Sequence, residues 1–217
     1  MKQASPNHET DTAAYQHDTA TEVVVLPLPE GVLRARALVE QGLSRHQIKE
    51  LADTGRLLHL GRGLYSLPDS PVTENHDIAQ VAARVPHGIV CLASALQFHG
   101  MTTQNPWRIN LMLRRGARPP HIEHPPLFLV YAQGESFHAG IEEHPIEGVN
   151  VKVTCIAKTI ADCFKYRSKV GLDVALEALR QTLQEKRATR TEIRRYAKVC
   201  RVENVMRPYM EAFSIEK

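Results

Sequence analysis

The chain predicts a mixed α/β (α+β) protein, with an N-terminal winged helix-turn-helix followed by a larger mixed domain holding a small sheet and C-terminal helices. Three observations carry this. Two stretches of helical spacing are separated by Gly42, and the second opens on Ser44 with Gln47 three residues on, the spacing of a capping box. Two short apolar runs then flank Gly61-Arg62-Gly63, which is a hairpin signal. Further on, strand-length apolar runs alternate with amphipathic patterns, and the chain ends in helical ones.

Residues 1–22 are rich in Thr, Asp, His, Gln and Ala and nearly lack large apolar side chains, so they read as a disordered tail. Val23 to Leu26, followed by Pro27 and Pro29, makes a short strand or a packing segment. Gly31 to Gln41 has helical spacing, with Val32, Leu33, Ala37 and Leu38 on one face. The helix opened by Ser44 buries Leu43, Ile48, Leu51 and Ala52 and ends at Gly55. Residues 56–60 and 64–67 are the strands of the hairpin, and Pro68 to Pro71 is a linker. The winged unit thus covers residues 23–70, and residues 71–217 form the C-terminal domain.

In that domain, helices are expected from His76 to Val85 and from Cys91 to His99. Strands are expected at Ile109–Leu113, Leu127–Tyr131 and Val149–Val153, with a proline-rich loop over residues 114–126. Helices follow at about Thr159–Arg167, Asp173–Gln184, Arg190–Cys200 and Val202–Phe213.

The chemistry of the winged unit points to double-stranded DNA. A second helix of this kind presents its N-terminal side chains to base edges in the major groove. Here these are Arg45, His46, Gln47 and Lys49, opened by Ser44 as cap. Arginine can fork onto guanine, and glutamine can pair with adenine. Arg62 sits between two glycines at the hairpin tip, where the backbone can approach a phosphate closely. Arg34, Arg36, Arg56 and His59 add to the positive face. From Gly31 to Leu67, Arg34, Arg36, Arg45, Lys49, Arg56 and Arg62 oppose only Glu40, Glu50 and Asp53. That local balance favours phosphate more than the whole-chain charge of +3 does. A small module of this build also serves for protein interaction. Tyr65 reads as a core or interface aromatic in either case.

A second basic stretch lies near the C-terminus. Arg187, Arg190, Arg194, Lys198 and Arg201 recur near one helical face, with Arg195 beside them. This is a solvated face or a second nucleic-acid surface.

Other functions find little support. Cys91, Cys155, Cys163 and Cys200 lack metal-ligand spacing, so no metal and no cofactor are expected. His121 and His124 flank Glu123 among prolines, a solvated loop and not a zinc-protease helix. Asp162 near Lys158 and Lys165 reads as surface ion pairing, not as a general base. No nucleophile elbow, phosphate loop or paired-carboxylate motif stands out, so no catalytic residue is assigned. No secretory signal or apolar run of membrane-spanning length is present, and the expected place is the cytoplasm.

The runs Gly31-Val-Leu-Arg-Ala-Arg, Gly42-Leu-Ser-Arg, Gly55-Arg-Leu and Gly61-Arg-Gly-Leu-Tyr-Ser-Leu-Pro68 resemble the N-terminal domain of AbiEi-type antitoxins of type IV toxin–antitoxin systems. Ser94-Ala-Leu-Gln-Phe-His-Gly100, Lys158-Thr-Ile-Ala-Asp-Cys-Phe-Lys165 and Gly171-Leu-Asp-Val-Ala-Leu-Glu-Ala-Leu179 resemble blocks of that family's C-terminal region. The resemblance implies a repressor that binds operator repeats in its own promoter. It also implies a C-terminal antitoxin domain that counteracts a cognate nucleotidyltransferase-like toxin, without needing a stable complex. Arg45, His46, Lys49 and Arg62 are the positions that transfer. The family's winged domain usually begins with a further helix, where this chain has Val23 to Pro29 with two prolines. The alternative is a winged-helix regulator with a ligand-binding or nuclease-like C-terminal domain.

Overall fold

Gly31 and Val32 lead into a two-residue strand, β1 (Leu33–Arg34), and then into helix α1 (Ala35–Glu40), in the computed structural model, which describes residues 28–103 and 106–215. The single helix predicted over Gly31 to Gln41 is therefore two elements. Leu33 and Arg34 pair antiparallel with Tyr65 and Leu64, so a strand partner later in the chain overrides the local helical spacing. Ala37, expected on the buried face, is exposed, whereas Leu38 is fully buried. Helix α2 (Arg45–Asp53), β2 (Leu58–Gly61) and β3 (Leu64–Ser66) complete a three-stranded antiparallel sheet ordered β1-β3-β2. This is the winged helix-turn-helix arrangement the sequence predicts. Leu33, Leu38, Leu43, Ile48 and Leu57 form its own apolar cluster. The predicted tail over 1–22 and the Val23–Leu26 run lie outside the described residues.

The rest of the chain builds one five-stranded mixed sheet and its covering helices. In order these are α3 (His76–Arg84), β4 (Ile89–Val90), α4 (Leu92–Phe98), β5 (Ile109–Arg114), β6 (Leu127–Ala132), α5 (Glu135–His138), β7 (Ile141–Ile146) and β8 (Val149–Thr154). Then come α6 (Ile156–Lys165), α7 (Arg167–Val170), α8 (Leu172–Gln184), α9 (Arg190–Val199) and α10 (Glu203–Ile215). The strand order is β6-β5-β4-β8-β7. Interior strand β5 is buried on both faces, which explains why its run is apolar without clean alternation. Ile109, Leu111 and Leu113 pack toward α3, while Met112 packs toward α4 and α6. Burying α6, α8, α9 and α10 against one face gives the larger apolar cluster, centred on Ile160, Phe164, Leu179 and Met206.

Two sheet elements escape the sequence patterns. Strand β4 has only two residues and takes its partners from β5 and β8. Strand β7 carries Glu142, Glu143 and Pro145 and has no apolar run of strand length. It lies at the sheet edge, where a proline without an N–H is tolerated.

Candidate nucleic-acid interface

Helix α2 is fixed at its start by its own sequence. The Ser44 hydroxyl accepts the Gln47 amide at 3.2 Å, and the Gln47 side chain accepts the Ser44 amide at 2.8 Å. Both halves of a capping box are thus present, and two otherwise unpaired backbone donors are satisfied. The Gln47 carbonyl is spent on this cap, so it is not free to accept from adenine as the sequence suggested. Ile48 is buried against the winged core, which leaves Arg45, His46 and Lys49 exposed around the N-terminal turn.

The wing is a tight hairpin. Gly61 pairs with Leu64 across the two-residue turn Arg62-Gly63, with a bulge between His59 and Gly61. Gly61 and Gly63 hold φ of 142° and 71°, values that favour glycine. Arg62 is exposed at the tip, and Arg56 is exposed at the approach to β2. The bulge turns the Leu60 carbonyl to Arg84 of α3, whose Nη2 donates to it at 2.7 Å. Nη1 of the same guanidinium donates to the His124 carbonyl at 2.7 Å. Arg84, which the sequence did not single out, therefore anchors the wing on the rest of the protein.

Arg34 and Arg36 have partners of their own. Arg34 is half-buried and donates to the Ala82 carbonyl on α3 at 3.4 Å. Arg36 is exposed and pairs with Glu40 at 2.9 Å. His59 stacks at an angle on Tyr65, with ring centroids 5.3 Å apart.

The winged unit sits on the larger sheet through a second contact. Val32 donates its amide to the Glu147 carbonyl at 2.8 Å, and Val32 and Leu64 join the apolar cluster of α3, β5 and β8. Thr73 donates both its amide and its hydroxyl to one Glu147 carboxylate oxygen, each at 2.8 Å.

The C-terminal arginines are not one continuous face. Arg190, Arg194 and Lys198 lie on α9, whereas Arg187 precedes that helix and Arg201 follows it at φ 60°. Arg187 donates to the His99 carbonyl at 3.0 Å. Arg190 donates to the Met210 and Phe213 carbonyls at 2.7 and 3.0 Å, tying down α10. Arg194 pairs with Glu203 at 2.7 Å. Arg195 lies over the Tyr196 ring at 5.6 Å. Lys198 and Arg201 instead join Lys165 and Arg115 around an open cavity of about 1000 Å³.

Beneath that cavity the Lys158–Asp162 pair is fully buried, not on the surface as its spacing implied. Burial works against the Lys158 ammonium, but the adjacent Asp162 carboxylate outweighs it and raises the lysine's pKa. The Cys200 thiol donates to the other Asp162 oxygen at 3.2 Å. Burial, reinforced by Asp162, pushes that thiol up to about 12, so it stays protonated at neutral pH. His121 and Glu123 are almost fully exposed in the proline-rich loop. Among the described residues, no three His, Cys, Asp or Glu side chains converge as metal ligands, and no helix is long and apolar enough to cross a membrane.

Residues 22–105 match the family model described as a transcriptional regulator, the AbiEi antitoxin N-terminal domain. The fold is similar to that of the crystal structure of the RV2827C protein from Mycobacterium tuberculosis, with a TM-score of 0.54 at 15% identity. The match covers 77% of this chain and 66% of that one, so the chain spans just under two thirds of that protein's length. At this identity the likeness is one of fold. No curated protein matches the chain.

Proposed function

We propose, from the match of residues 22–105 to the AbiEi antitoxin N-terminal domain, that the chain is an antitoxin and autorepressor of a type IV toxin–antitoxin system. It reads double-stranded operator DNA through α2 and the wing. The observation that carries this reading is the capped N-terminus of α2. The Ser44–Gln47 box fixes the turn that exposes Arg45, His46 and Lys49, while the same three-element unit presents Arg62 at the wing tip. In this reading Arg45 and His46 reach base edges. Lys49, Arg56 and Arg62 contact phosphates, and Arg62 lies closest to the minor groove. Arg34 and Arg36 support the unit and do not read DNA.

The larger domain, residues 71–217, acts as a non-enzymatic antitoxin in the cytoplasm. It counteracts a nucleotidyltransferase-like toxin without needing a stable complex. Fluorescence anisotropy on the duplex upstream of its own gene tests the DNA arm. Arg45→Ala and Lys49→Ala weaken binding if α2 is the reading helix, and unchanged affinity in both rejects that orientation. Co-expression with an adjacent nucleotidyltransferase-like protein tests the antitoxin arm, which fails if growth arrest persists.

A second reading is a winged-helix regulator whose C-terminal domain binds a small ligand. The cavity ringed by Arg115, Lys165, Lys198 and Arg201 favours it. The nuclease-like version has no observation in its support.

A further inference from the structure

We infer that this cavity is a nucleotide-binding site, with the polyphosphate held by Arg115, Lys165, Lys198 and Arg201 and the base laid against Tyr131. The four cations arrive from three segments of the chain. Arg115 follows β5, Lys165 ends α6, Lys198 is in the last turn of α9, and Arg201 is in the α9–α10 connection. A run of surface charge would come from one segment, whereas here the fold brings Arg115 and Lys165 to the local pair Lys198 and Arg201. Among the described residues, the only carboxylate in the lining is Glu135. Lys198 is held loosely by Glu203 at 3.9 Å, and among the described residues no ion pair engages Arg115, Lys165 or Arg201. Converging cations repel one another unless an anion lies between them. A polyphosphate is the anion whose several oxygens suit four separate donors.

The rest of the wall suits an organic group. Tyr131 is 38% exposed, and the Tyr166 hydroxyl donates to its carbonyl at 3.2 Å, which fixes the end of β6. Lys165 lies 5.7 Å from the Tyr166 ring, so cation and aromatic surface are contiguous. Burial pushes the Tyr166 phenol up to about 12, which keeps it a neutral hydrogen-bond donor. Aromatic faces stack on any base. About 1000 Å³ is at the upper end of what a small-molecule site encloses. A duplex does not fit such a concavity, and inorganic phosphate would leave most of it empty. Among the described residues, none of the winged unit lines the cavity, so this site is separate from the proposed operator surface and does not depend on it.

Isothermal titration of the full-length protein with ATP, GTP, CTP, UTP and tripolyphosphate tests the proposal. At least one nucleoside triphosphate binds, and tripolyphosphate binds roughly tenfold more weakly, the difference being the stacked base. Arg115→Glu and Arg201→Glu each weaken nucleotide binding by roughly tenfold or more, and Arg45→Glu on α2 leaves it unchanged. Both cavity arginines are exposed, so thermal melts of these variants coincide with that of the parent. Tyr131→Ala removes the preference for nucleotide over tripolyphosphate. The proposal is overturned by an absence of binding at millimolar nucleotide, by equal affinity for tripolyphosphate, or by equal losses in the Arg45 and Arg115 variants. Tighter binding of a single-stranded RNA oligonucleotide than of any mononucleotide overturns it as well.

Discussion

The Glu147 carboxylate meets Nδ1 of His76 at 2.6 Å, joining the tip of the β7–β8 hairpin to the start of α3. Its other oxygen takes both Thr73 donors, and its backbone carbonyl takes the Val32 amide. One residue thus holds the linker, α3 and the entrance to the winged unit. Glu147 does so at φ 47° in a two-residue turn, where Asn, Asp or Gly is usual.

Glu147→Ala is expected to lower the unfolding free energy by about 1–3 kcal/mol, because three donors lose a buried acceptor. Urea unfolding measures this. The effect has a defined pH sign. Burial pushes the carboxyl up, but the Thr73 amide, His76 and the Thr73 hydroxyl more than reverse this, so its pKa in the folded protein is lowered. A lowered carboxylate stabilises the fold above its unfolded value, about 4.3, and that stability is lost as pH falls through the folded value. The gap between parent and Glu147→Gln should therefore be full at neutral pH and close below about pH 4. A gap that widens on acidification contradicts this assignment.

Gly61 is where the wing meets Arg84. A Cβ on Gly61 would collide with Arg84 Nη2, the atom that binds the Leu60 carbonyl. At φ 142° the backbone also resists any side chain. Gly61→Ala should cost about 1–3 kcal/mol, combining strain with a displaced guanidinium. Arg84→Ala should cost about 1–2 kcal/mol, since it leaves two carbonyls without their donor. Thermal denaturation ranks the variants. Gly63→Ala has open space around its Cβ and should show the backbone cost alone.

Local signals were legible in the sequence, and long-range ones were not. The α2 cap and the wing turn depend on residues within a few positions of one another, so Ser44, Gln47, Gly61 and Gly63 announced them. Leu33 and Arg34 form a strand only because Tyr65 and Leu64 lie alongside, which no local period reports. Likewise Arg187 and Arg190 read as surface charge because their acceptors, on His99, Met210 and Phe213, lie far away in the sequence. Lys158 and Asp162 were correctly paired by their spacing but misplaced on the surface. An i, i+4 ion pair has the same pattern whether it faces water or, as here, a helix layer closed by α9 and α10.

That buried pair makes a third prediction. Removing one partner strands the other charge in the core, so Asp162→Leu or Lys158→Met alone should cost about 3–5 kcal/mol. Replacing both with apolar residues of similar volume, Lys158→Met with Asp162→Leu, should recover most of the loss. Equilibrium unfolding of the two single variants and the double variant forms a mutant cycle with strong coupling. Additive losses would mean that the pair is not coupled.

The final prediction concerns how the α2 cap serves DNA binding. Ser44→Ala removes the acceptor for the Gln47 amide and should cost about 1 kcal/mol of stability. It removes no charge, so operator affinity should fall while the slope of log affinity against log salt stays the same. Lys49→Ala behaves oppositely, leaving the fold intact and reducing the slope by about 1, the contribution of one phosphate contact. Arg45→Ala should relax sequence preference at one base pair, by about 1–3 kcal/mol. Salt titrations of anisotropy on the upstream duplex and on a scrambled one separate the three. If Ser44→Ala changes the slope as much as Lys49→Ala does, the cap is not positioning the helix, and the division of labour along α2 is wrong.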